Sequence, residues 1–131
     1  SAISVGEITP GDSIILTGKL PVGGEDWAVV QFPDGGRPGD GTPTINLTNN
    51  PGDAYRFELF VDTAGTAYGA CSGPLDSFDF VDDASQVPGA GAYSLNATPW
   101  PTTLYVKVTR TDGQPAPDCT ATYEYDLTIS R

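Results

Sequence analysis

The side chains with most chemistry to offer are seventeen carboxylates set against six Lys and Arg, together with two cysteines and two tryptophans; histidine is absent. Without imidazole there is no Ser–His–Asp or Cys–His nucleophile, no imidazole base and no His-ligated zinc. What remains is carboxylate chemistry: cation binding, or hydrolysis by two acids about 5–10 Å apart across a cleft. So many acids produce such a pair by chance, no sequence feature marks one as desolvated, and 131 residues offer little cleft. The expectation is a protein that is not an enzyme.

The densest acidic run is Asp76-Ser77-Phe78-Asp79-Phe80-Val81-Asp82-Asp83. Calcium takes about 6–8 oxygens, which loop carboxylates supply, so Asp76 and Asp79 are candidate metal ligands. The spacing is not that of an EF-hand. On a strand, Asp76 and Asp82 share a face with Phe78 and Phe80 while Asp79 and Asp83 take the other. The competing reading is a solvated acidic edge that discourages strand-to-strand aggregation. Asp34-Gly35-Gly36-Arg37-Pro38-Gly39-Asp40-Gly41 reads as a hairpin connection. Trp27, inside an apolar strand, is expected in the core. Trp100 lies between Pro99 and Pro101 on an extended loop. Either it covers the open end of the fold, or with Tyr93 and Tyr105 it forms a ring platform for a ligand such as a sugar face.

The net charge of −11 repels nucleic-acid phosphate and anionic lipid, so neither is an expected partner. No apolar run approaches the roughly 18–20 residues of a membrane-spanning helix. Cys71 and Cys119 predict one disulfide and an oxidising compartment, the alternative being two buried thiols. Closing so long a loop stabilises by roughly 4 kcal/mol in the chain-entropy picture. With no Met and no leader-like start, the sequence reads as a piece of a longer precursor.

These residues need a scaffold, and the scaffold is written in period two. Tyr123, Tyr125, Leu127 and Ile129 alternate with Glu124, Asp126, Thr128 and Ser130. Ser13–Leu20, Ala54–Val61 and Leu104–Thr109 alternate likewise, and Trp27–Phe32 is apolar on both faces. Shorter strands are expected at Thr44–Leu47, Ala92–Leu95, Thr66–Ala70 and Asp76–Val81. Gly, Pro and Asx clusters such as Pro10-Gly11-Asp12 and Asn50-Pro51-Gly52-Asp53 punctuate these runs as turns. The reading is one all-β domain over 1–131, an antiparallel β-sandwich of roughly eight strands with one disulfide, a closed barrel being the competitor.

Taken in order, Ile8-Thr9-Pro10-Gly11-Asp12-Ser13-Ile14 with Thr17-Gly18-Lys19-Leu20, then Gly24-Glu25-Asp26-Trp27-Ala28-Val29, then Phe57 to Gly65 with its Val61-Asp62-Thr63-Ala64-Gly65 turn, then Tyr105-Val106-Lys107-Val108 and Tyr125-Asp126-Leu127-Thr128-Ile129 form a series. The series resembles the bacterial pre-peptidase C-terminal domain, a jelly-roll-like β-sandwich of secreted proteins, over Ile8 to Ile129. That resemblance implies an extracellular, non-catalytic accessory domain of a secreted hydrolase or protease, aiding secretion, folding or substrate adhesion. Its partners would be the parent enzyme or an extracellular polymer, protein or glycan. It also implies a calcium site at an Asp-x-Asp-aromatic turn. Glu25 and Asp26 carry over, while Gly24 replaces the first Asp. Two alternatives stand beside it. One is a carbohydrate-binding module using the ring platform. The other is a filament or surface-layer subunit that self-associates when Ala2-Ile3-Ser4-Val5 pairs with a neighbour's sheet edge.

Overall fold

The described residues form eight strands: β1 (Ile3–Glu7), β2 (Ser13–Gly18), β3 (Glu25–Gln31), β4 (Thr44–Asn49), β5 (Tyr55–Phe60), β6 (Ser77–Asp79), β7 (Thr103–Arg110) and β8 (Tyr125–Ser130). The computed structural model describes residues 2–33, 43–68, 74–80, 103–110 and 124–131, without the side chain of Asp79. The Cys71–Cys119 disulfide, Tyr93, Trp100, the strand at Ala92–Leu95, the Asp34–Gly41 loop, Asp82 and Asp83 lie outside the described residues. One four-stranded sheet has the order β1-β3-β7-β5 and the other β2-β8-β4-β6. The all-β, two-sheet expectation therefore holds.

Alternation decides what each sheet buries. In β7 Leu104, Val106, Val108 and Arg110 are buried while Thr103, Tyr105, Lys107 and Thr109 face out. In β8 Tyr125, Leu127 and Ile129 are buried between half-buried polar neighbours. With Val30, Tyr55, Phe57, Leu59 and Ile45 the apolar ones among these side chains form one cluster drawn from both sheets. Tyr55 and Tyr125 meet across the interior with ring centroids 5.0 Å apart. At another place in the core Phe80 packs edge-on against Phe32, Tyr68 and Phe78.

Among the described strands all pairs are antiparallel but one. β1 runs parallel to β3, with Ile3 beside Ala28 and Ser4 beside Val29. A parallel pair cannot be closed by a hairpin, and here the chain crosses to the other sheet as β2 before returning as β3. The register shifts between Ser4 and Glu7, where Gly6 at φ 83° supplies a backbone most side chains avoid. The Ala2-Ile3-Ser4-Val5 stretch, which the filament alternative would pair with another subunit, pairs through Ile3 and Ser4 with β3 at the edge of the chain's own sheet. Of the expected strand at Thr66–Ala70, the described residues show a single bridge, Ala67 to Phe60.

The ends are tied by polar groups. The Arg131 guanidinium donates to the carbonyls of Ile8 and Pro33 (3.2 and 2.6 Å), and the Arg131 carbonyl accepts from the Gly11 amide at 2.7 Å. Asn50 brackets the start of β5, accepting from the Tyr55 amide (2.9 Å) and donating to its carbonyl (3.0 Å).

Candidate protein-interaction face

Sheet β1-β3-β7-β5 presents an outward face whose make-up follows from register. Glu25, Thr109 and Arg56 form one row, Trp27, Lys107 and Glu58 the next, and Val29, Tyr105 and Phe60 the third. Trp27 and Phe60 reach toward each other over the intervening strand, ring centroids 5.2 Å apart. Phe60 is left only 8% exposed although it points away from the sandwich interior. The Lys107 ammonium sits 5.8 Å from the Trp27 ring and 5.1 Å from the Phe60 ring, and pairs with Glu58 at 2.8 Å. Such placement combines an ion pair with the attraction of a cation to an aromatic face. The Trp27 indole N–H donates to Glu25 at 3.1 Å.

Trp27 is therefore not a core residue. The inward positions of β3 belong to Ala28 and Val30, and Trp27 is half-buried on the outer side. Tyr105, expected beside Tyr93 and Trp100, is half-buried one row from Trp27.

The two residues carried over as calcium ligands diverge. Glu25 bonds the outward-facing Trp27, whereas Asp26, on the opposite side of β3, accepts a 2.9 Å bond from the Tyr125 hydroxyl between the sheets. Asp76 is exposed and its charge acts on Arg56, while its carbonyl accepts from the Leu47 amide; the Asp79 backbone pairs with Thr44. Among the described residues no three Cys, Asp or Glu side chains gather as a metal site.

The Tyr125–Asp26 contact edges a small cleft of about 70 Å³, lined also by Ile3, Leu16, Ala28 and Val108. Burial, then the bond to and charge of Asp26, push the Tyr125 hydroxyl well above its ordinary value of 10.0. The folded protein then holds this proton more tightly than the unfolded chain. Its contribution is complete below about pH 10 and lost as pH rises toward the higher folded value. Unfolding free energy should accordingly fall with pH above about 10. Tyr125→Phe should be less stable at pH 7 by about 1–3 kcal/mol and should show a shallower alkaline decline, read by urea denaturation at successive pH values. Parallel alkaline slopes in the two proteins would remove this assignment.

Other carboxylates on the surface are held ionised by local donors. Bonds from Thr66 and then from Ala64 keep Asp62 below the usual range, as the Arg56 hydrogen bond and charge do for Asp53 and Thr9 for Asp12. The Asp62 contacts, 2.9 Å from the Ala64 amide and 3.1 Å from the Thr66 amide, shape the turn that carries Thr63.

The fold and face together define an all-β sandwich with an aromatic, charged outer sheet. No family model matches the chain, and no curated protein matches it. Among solved structures it is similar to the crystal structure of Salmonella Typhimurium PliG, a periplasmic lysozyme inhibitor of g-type lysozyme, at 20% identity and TM-score 0.46 over 99% of this chain and 98% of that one. It is also similar to a mutant of the Escherichia coli PliG, likewise a periplasmic inhibitor of g-type lysozyme, at 14% identity and TM-score 0.42 over the same shares.

The pre-peptidase C-terminal resemblance is overturned, since no family model matches the chain. The motifs that carried it, alternating strands and glycine turns, are demands of any antiparallel sandwich and identify no single family. The reading as a hydrolase accessory domain falls with it, and the carbohydrate-binding and filament readings are withdrawn as well.

Proposed function

We propose that the chain is one exported, non-enzymatic domain that binds a basic protein. The distribution of charge carries this reading. Of the charged side chains described, only Arg110 is buried, so the carboxylates sit at or near the surface. The described cations are largely consumed within the chain. Arg110 donates inward to the Leu20 carbonyl, Arg131 holds two carbonyls, Arg56 pairs with Asp53 and Lys107 pairs with Glu58. The outward field is therefore negative, which speeds encounter with a cationic surface and disfavours anionic ones. Trp27, with Tyr105 and Phe60 in the adjoining row, supplies residue types enriched where proteins dock.

The similar crystal structures are of inhibitors of g-type lysozyme, which makes a g-type lysozyme of basic isoelectric point the first partner to test. Calorimetric titration would compare the native enzyme with the same enzyme after lysine acetylation. A complex is expected with the first, and affinity at least about ten-fold weaker with the second, because neutralising several rim charges removes roughly 1.4 kcal/mol or more. Equal affinities, or no complex with the native enzyme, would contradict the reading.

A further inference from the structure

Beside Trp27 lies a recess of about 210 Å³ lined by Ala2, Glu25, Trp27 and Thr63. It is many times the roughly 10–15 Å³ that one water molecule needs, and so has room for the head of a long side chain. Its walls come from three separate elements. Ala2 precedes β1, Glu25 and Trp27 open β3, and Thr63 stands on the turn fastened by Asp62. The indole is itself held in place, by Phe60 at 5.2 Å and by its N–H bond to Glu25 at 3.1 Å. The site thus needs little ordering when something enters it, which favours affinity.

The charges around it leave one sign uncovered. Lys107 is answered by Glu58 at 2.8 Å, and Arg56 by Asp53 at 2.9 Å. Glu25 has the neutral indole N–H as its bonded partner and faces the row position of Thr109. A recess with a π-face on one wall and a carboxylate on another suits a cation, and the Lys107 ammonium near the same ring is an internal precedent.

We propose that this recess receives an arginine side chain of the basic partner, its guanidinium stacking on the Trp27 indole and pairing with the Glu25 carboxylate. Arginine fits better than lysine because its planar fork can stack on a ring and meet a carboxylate together, whereas an ammonium is a compact, strongly hydrated point charge. The choice of occupant rests on the basic-partner reading, but its test does not require that partner.

The chain's two tryptophans give two indole N–H signals in a ¹⁵N spectrum, and Trp27→Phe identifies which belongs to Trp27. The full chain is titrated with blocked tetra-arginine, tetra-lysine and tetra-glutamate peptides. The Trp27 signal should move saturably with tetra-arginine, at least about five-fold less tightly with tetra-lysine, and stay in place with tetra-glutamate. Glu25→Gln should weaken tetra-arginine about five-fold or more, while Glu7→Gln, the same charge change elsewhere on this sheet, should change it less than about two-fold. A Trp27 signal that does not respond, equal responses to arginine and lysine, or equal losses in the two glutamate variants would overturn the proposal. A normal peptide titration beside a failed lysozyme titration would leave the recess assignment standing and remove only the basic-protein reading.

Discussion

Phe57→Ala should destabilise the fold by about 3–5 kcal/mol, the usual cost of removing a buried phenyl and leaving a cavity behind it. Phe57 is fully buried at the middle of β5, pairs with Val108 of β7, and its amide and carbonyl both bond Leu75 (2.9 and 2.8 Å). Its ring therefore belongs to the cluster shared by both sheets, and neighbours anchored by ladders on either side have little freedom to collapse inward. Domains of this size have stabilities of about 5–15 kcal/mol, so the change would consume a large part of the total. Urea denaturation measures it directly. Val61→Ala, at a position 42% exposed just beyond β5, is the control and should stay within about 0.5 kcal/mol. A Phe57→Ala loss under about 1.5 kcal/mol would mean that the two sheets do not share one packed interior.

Gly18→Ala is expected to cost about 2–4 kcal/mol, against the usual direction for a glycine in a strand. A Cβ on Gly18 would lie 2.7 Å from both Cε1 and the hydroxyl oxygen of Tyr125 and 2.8 Å from its Cζ. The ring cannot retreat freely, because it packs on Tyr55 with centroids 5.0 Å apart, and moving it takes the hydroxyl from Asp26. The lost contact and the broken bond together outweigh the roughly 0.4–1 kcal/mol that alanine gains by restricting the unfolded chain. Placed in a Tyr125→Leu background, the same substitution should cost under about 1 kcal/mol. An equal cost in both backgrounds would show that Tyr125 is not the obstacle.

The strands with one apolar and one polar face were legible from sequence. β2, β5 and β8 fall within the expected runs, and β7 exceeds its run by one residue at each end, because alternation over several residues leaves a single buried face. β1 was not placed, since its neighbour is chosen by a crossover through the opposite sheet rather than by any local turn. Trp27 shows the limit within one strand. With both faces of Trp27–Phe32 apolar, the pattern names two candidate faces and does not say which is inner. A signal was nevertheless present: carried out to Glu25 and Gln31, the series containing Trp27 is the more polar one.

The interaction face was less legible for the same reason made long-range. Glu25, Trp27, Phe60, Thr63 and Lys107 come from β3, β5, β7 and a turn, and only the cross-strand register brings them together. Adjacent residues such as Glu25 and Asp26 look like a pair in sequence, yet the pleat sends them to opposite sides. Net charge, by contrast, needed no structure. What the structure adds is that Arg56, Lys107 and Arg110 are engaged within the fold, so the excess of acids is left at the surface.

The dependence of binding on salt tests the central claim most directly. Dissociation constants for the chain and a basic g-type lysozyme, measured from 50 to 500 mM NaCl, should rise at least about ten-fold across the series as exposed charges are screened. Affinity that is unchanged, or tighter, at high salt would contradict an acidic surface as the element that recognises the partner.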